Sequence, residues 1–125
     1  MTNARTAYLG GMVSTASPAR LLVMLYERLV LDIERAADLQ EREDFTAASQ
    51  QLMHAQEIVL ELQTSLRLDV WDGAKALSAI YGFLHSELVR ANVRRDVELT
   101  RGCLTLVRPL ADAWRQAALA AAAVA

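Results

Sequence analysis

Hydrophobic positions in this chain recur at spacings of three and four and never alternate with the period of a strand, so the expected elements are helices. The clearest helix start is Thr15-Ala16-Ser17-Pro18. Ser17 suits the N-cap, where its hydroxyl accepts an unpaired backbone N–H of the first turn. Pro18 then falls at the first helical position, where its missing N–H costs nothing. Leu22, Leu25, Tyr26, Leu29 and Ile33 form one helix face, and Leu21, Val23, Met24, Val30 and Leu31 are apolar as well. A surface helix needs one apolar stripe, whereas this one is apolar around most of its girth and must be covered on more than one side.

The same pattern predicts a first helix from about Pro18 to Leu39 and a polar loop at Gln40–Asp44, with Asp44 capping the second helix. That helix carries Phe45, Ala48, Leu52, Ala55, Val59, Leu62 and Leu66 as a heptad seam, with Ile58 beside it. Arg67–Asp72 breaks the pattern, and Asp72-Gly73 marks a turn. The third helix shows Leu77, Ile80, Tyr81, Leu84, Leu88 and Ala91, and a close helix approach would explain Gly82. A tight connection at Asn92–Asp96 leads to a fourth helix, capped by Asp96. Val97, Leu104, Val107, Ala111 and Trp114 form its first face, and Leu99, Cys103, Leu106 and Leu110 an adjacent stripe. Pro109 inside it predicts a kink. Four segments with short connections imply an all-α, antiparallel up-down-up-down four-helix bundle. Residues 17–117 would be the bundle, 1–16 a short N-terminal arm and 118–125 an alanine-rich tail that prolongs the last helix or frays. The arm is small and polar apart from Tyr8, Leu9, Met12 and Val13. It is either a loose end or a segment that lays Tyr8 on the bundle.

Composition narrows the function. The chain has 125 residues, one domain by length, and a net charge of −2, unlike a general nucleic-acid binder. It has no apolar run long enough to cross a membrane and no secretory signal pattern, and its single cysteine, Cys103, has no partner for an internal disulfide. A cytoplasmic soluble protein is expected. Arg94, Arg101, Arg108 and Arg115 recur every seven residues, with Glu98 and Asp112 four residues after Arg94 and Arg108. That alternation reads as a solvated, ion-paired face. Residues 27–44 hold seven acids against three arginines, a difference from the fourth helix that neighbouring antiparallel helices could use to fix their register.

Enzymatic chemistry is not indicated. A di-metal bundle needs Glu-x-x-His pairs, which the chain lacks, so no metal and no cofactor are expected. His54 reads as a partly exposed helix residue, His85 as a helix-edge residue and Cys103 as a buried thiol. No phosphate-binding glycine loop or Gly-x-Ser-x-Gly elbow is present.

Taken in order, the residues resemble the FliS-like flagellar export chaperones along nearly the whole chain. Thr6-Ala7-Tyr8 stands ten residues before Pro18 and is followed by Leu22 and Met24-Leu25-Tyr26-Glu27. The second helix offers Ala55-Gln56-Glu57-Ile58-Val59, Glu61-Leu62 and Ser65-Leu66. Leu77, Ile80-Tyr81-Gly82-Phe83, Leu88, Ala91-Asn92, Asp96 and Ala113-Trp114 complete the pattern. Departures are Asp72-Gly73 for paired glycines, Arg67 for an aspartate, His54 for a frequent lysine, and Pro109.

The resemblance implies a chaperone that binds the disordered C-terminal segment of flagellin, blocks premature polymerisation and passes its client to the flagellar type III export gate. It implies a groove, which we assign to Leu21, Leu25, Tyr26, Ile58, Leu62 and Tyr81, although Leu25 and Leu62 also fit the core. It implies a cap at Tyr8, with Val13 beside it, that contacts the export gate once displaced. Whether a co-chaperone docks on the arginine-rich side is left open, as is a monomer against a weak homodimer. A bundle that dimerises through the same apolar faces is the main rival reading; a metal-dependent bundle enzyme is a weaker one.

Overall fold

The computed structural model describes residues 17–69 and 72–124. These described residues form four helices, α1 (Pro18–Glu41), α2 (Phe45–Thr64), α3 (Ala74–Val93) and α4 (Val97–Val124). Each packs on its two neighbours, in the ring α1–α2–α3–α4, with the α3–α4 seam the sparsest. The architecture is the expected bundle.

The expected caps are in place. The Ser17 hydroxyl accepts the Arg20 N–H at 3.2 Å, with Pro18 opening the helix. Asp44 accepts the Ala47 N–H at 3.3 Å. Asp96 accepts those of Glu98 at 2.9 Å and Leu99 at 3.3 Å. Helix α1 runs two residues past the expected Leu39, because Gln40 is drawn inward as a buried residue.

The two short turns share one design that no glycine announces. In Arg42-Glu43-Asp44 and Arg94-Arg95-Asp96 the middle residue is left-handed, with φ of 59° at Glu43 and 52° at Arg95. The next N–H, that of the aspartate, returns to a carbonyl of the last helical turn, Asp44 to Leu39 at 2.9 Å and Asp96 to Ala91 at 3.1 Å. This is the hydrogen-bond pattern of a Schellman ending, and each aspartate then caps the next helix.

The core runs the length of the ring. Its largest fully buried apolar side chains are Leu29, Ile33, Leu52, Val59, Leu84, Leu88 and Val107, after Tyr26 and Tyr81. Charge fixes how α1 lies on α4. Glu27, Glu34 and Glu41 climb α1 in steps of seven while Arg115, Arg108 and Arg101 descend α4 in the same steps. Arg108 meets Glu34 at 2.7 Å, Arg115 reaches Glu27 at 3.4 Å, and Arg101 pairs with Glu41. Within α4, Glu98 pairs with Arg101 at 2.8 Å and Asp112 with Arg115 at 2.6 Å, three residues on rather than with the expected Arg94 and Arg108. These pairs are half exposed, so each adds at most about 1 kcal/mol and their main effect is on register.

Helix α4 passes through Pro109 without ending, and the alanine-rich tail prolongs it to Val124. Pro109 lies on the exposed side, where water can satisfy the carbonyl that loses its donor. Gly82 does not mark a close backbone approach: an added Cβ would meet only the Gln63 side-chain amide, at 3.4 Å. Gly102, in the interior of α4, has open space in the same position. Replacing Gly102 with alanine should therefore stabilise the bundle by about 1 kcal/mol, read as a rise of several degrees in the thermal midpoint.

Candidate functional site

The six residues expected to line a groove come together in the half of the bundle that holds the start of α1, the end of α2 and the start of α3. Tyr26, Ile58, Leu62 and Tyr81 are inside the core, at 1%, 2%, 3% and 2% exposure. In the closed bundle these four are therefore core and do not line an open groove. Only Leu21 and Leu25 are half-buried, on the side of α1 that faces α2. Tyr8 and Val13 lie outside the described residues.

An aromatic cluster organises this half. The hydroxyls of Tyr26 and Tyr81 hydrogen-bond each other across the diagonal of the ring. Their ring centroids are 6.5 Å apart, and Trp114 of α4 stands 6.5 Å from Tyr26 on its other side. Three helices thus meet around the Tyr26 ring. Burial pushes both tyrosine hydroxyls above their ordinary value, with the Tyr26 hydroxyl adding to the rise at Tyr81.

Two polar clusters lie above it. Asp32, fully buried on α1, accepts from Arg28 Nε at 2.9 Å and is bonded by His54 Nδ1 of α2. Gln40 donates to the Ala91 carbonyl at 3.1 Å and accepts from Thr100 Oγ1 at 2.6 Å, joining α1 to α3 and α4. Sequence reasoning missed Asp32, because it sits within an acidic run. His54 is the residue that covers it.

The seam between α3 and α4 has a different surface. Helical spacing places Ile80, Phe83 and Glu87 on the α3 side, and Leu99, Cys103, Leu106 and Leu110 on the α4 side opposite the arginines. Phe83 is 59% exposed, and the three leucines are half-buried against the core. Outside them α4 shows Gly102, Thr105, Pro109 and Ala113. Glu87, the one charge in that group, pairs with Arg90 at 2.7 Å. The signal in the sequence was this uncharged back of the fourth helix. The Cys103 thiol is buried there, and desolvation, then the Glu87 charge, push it up to about 12.

The described residues thus form an antiparallel ring whose seams carry half-buried apolar side chains. Among solved structures, the bundle is similar to one described as a flagellar chaperone from bacteria. The TM-score is 0.74 at 19% identity, covering 92% of this chain and 97% of that one. A family model described as "Flagellar protein FliS" matches residues 1–121. The chain belongs to the FliS family. It is 32% identical over 115 residues to a flagellar secretion chaperone FliS of Bacillus subtilis, across 92% of this chain and 86% of that protein. The counterpart in Vibrio cholerae is 24% identical, across 83% of this chain and 77% of that one. That of Escherichia coli is 27% identical, across 86% and 80%. The family is one of chaperones, and no helix among the described residues is long and apolar enough to cross a membrane.

The buried thiol and phenols set a direction with pH. Each holds its proton more tightly when folded, so the stability it lends is complete below its ordinary value, 9.0 for the thiol and 10.0 for the phenols, and is lost as pH rises above it. Denaturant midpoints should fall from about pH 9 upward, and Cys103→Ala should flatten the first part of that fall.

Proposed function

We propose that this protein is a cytoplasmic export chaperone for flagellin, without catalysis. It binds the disordered C-terminal segment of flagellin, prevents premature polymerisation, and delivers the client to the flagellar type III export apparatus through its gate protein. Membership of the FliS family along residues 1–121 carries this reading. The apolar seams are its physical counterpart, since a client helix docks its apolar face in such a groove. Ordering a disordered client costs several kcal/mol, which lowers net affinity and eases later release.

In this reading Leu21 and Leu25 offer contact surface in the closed bundle, whereas Tyr26, Ile58, Leu62 and Tyr81 become available only if helices part. Tyr8, with Val13, caps the site in the free protein and meets the export gate once displaced. The free protein is a monomer or weak dimer.

Titration calorimetry with the C-terminal segment of the host's flagellin should give one-to-one binding and a gain of helical signal. Absence of binding at high micromolar concentration, together with self-association in sedimentation, would favour the dimer reading. Tyr8→Ala should keep the helical signal and bind the segment at least as tightly, while export falls. Unfolding of that variant would make Tyr8 part of the core.

A further inference from the structure

The end of the bundle that carries the two short turns holds a cleft of about 510 Å³, between the start of α2 and the end of α3. Phe45, Thr46, Ser49 and Gln50 line its α2 side, and Asn92, Val93 and Arg95 the other, with the buried Gln40 and Ala48 behind them. None of these residues is acidic, and Arg95 carries the only charge among them. The Thr46 hydroxyl and the Gln50 and Asn92 amides make no side-chain hydrogen bond among the described residues. The Ser49 hydroxyl has only the Met53 sulfur, at 3.7 Å.

Arg95 is held in an unfavourable backbone conformation. Its φ of 52° is one that glycine adopts freely and a residue with a Cβ does not. Arginine at this position sets its Cζ 5.0 Å over the Phe45 ring centroid, a cation–π contact that fixes the guanidinium at the cleft. That guanidinium makes no ion pair among the described residues, and neither do Arg42 and Arg94 on the same two turns. Most of the acids nearby are engaged. Asp44 and Asp96 cap their own helices, and Glu41 pairs with Arg101. Three arginines are left against one uncommitted acid, Glu43.

We propose that this cleft binds a short acidic segment of a partner protein, with an aspartate or glutamate carboxylate on Arg95 and the adjoining peptide groups on the Gln50 and Asn92 amides. The unpaired guanidinium and the lack of acids in the wall select a carboxylate, which it can hold through two parallel hydrogen bonds. Each side-chain amide offers both a donor and an acceptor, as a peptide group requires. Val93, 76% exposed, gives an apolar neighbour of that carboxylate a surface to lie on. The cleft is larger than a bare inorganic anion fills. Its polar, basic wall is unlike the apolar seams offered to the flagellin segment, so the inference goes beyond the export-chaperone reading.

The test is a magnetic-resonance titration of the isotope-labelled whole chain with the blocked peptide acetyl-Ala-Glu-Leu-Ala-amide. The side-chain amide signals of Gln50 and Asn92 should shift saturably, with a dissociation constant of about 1 mM or tighter. The same peptide with glutamine in place of glutamate should bind at least about fivefold more weakly, and added salt should weaken only the acidic peptide. Arg95→Gly should bind the acidic peptide about tenfold more weakly with its helical signal intact, since glycine suits the left-handed position. Arg94→Ala, one residue away, should weaken it less. Equal binding of the two peptides, or wild-type affinity in Arg95→Gly, overturns the carboxylate contact. Acetate that shifts the same amides over the same concentrations makes the cleft a small-anion pocket and overturns the peptide assignment. No saturable shift up to about 10 mM peptide overturns the site altogether.

Discussion

Helix α1 is the constraint on which the rest of the bundle depends. It is too apolar around its circumference to face water on more than a narrow strip, so the chain must surround it. Helices α2 and α4 cover its flanks, and α3 reaches it across the diagonal through Tyr81. The three buried polar residues among those described obey the same plan. Asp32 and Gln40 belong to α1, and Thr100 donates to Gln40. Each is satisfied by a different neighbour, as a buried polar group must be. Apolar burial supplies the bulk of the stability, and this polar set picks out one arrangement of helices among several that would bury the same surface.

Much of the fold was legible in the chain. Ser17, Asp44 and Asp96 announce three helix starts because capping is local chemistry, and heptad spacing names the buried faces. The α1–α4 register was legible as well, since the acids of residues 27–44 and the arginines of the fourth helix need each other. The left-handed residues Glu43 and Arg95 were not, because a glycine usually marks that conformation and none is present. Asp32 was hidden for a different reason: nothing local distinguishes a carboxylate that a distant histidine will cover.

The candidate site was the least legible part. Excess apolar width on a helix reads equally as groove or as core. In a ring, every helix has two neighbours and must be apolar over a wide arc even with no client. That is why Tyr26, Ile58, Leu62 and Tyr81 sit inside, while Leu21 and Leu25 of α1 stay at the edge. The more informative signal was the lack of charge on one side of α3 and α4. There, beyond the connecting turn, the described residues of the two helices meet through apolar side chains.

The matched seven-residue steps of Glu27, Glu34 and Glu41 against Arg115, Arg108 and Arg101 make α1 and α4 a vernier, two scales ruled alike and read against each other. Deleting one residue within either helix turns everything beyond it by about 100° and takes every later rung out of line. Paired edits of a whole heptad, one in each helix, preserve both the rungs and the buried faces. Length variation in chains of this architecture should therefore collect at the ends and in the connection between α2 and α3, and spare the interiors of the first and last helices.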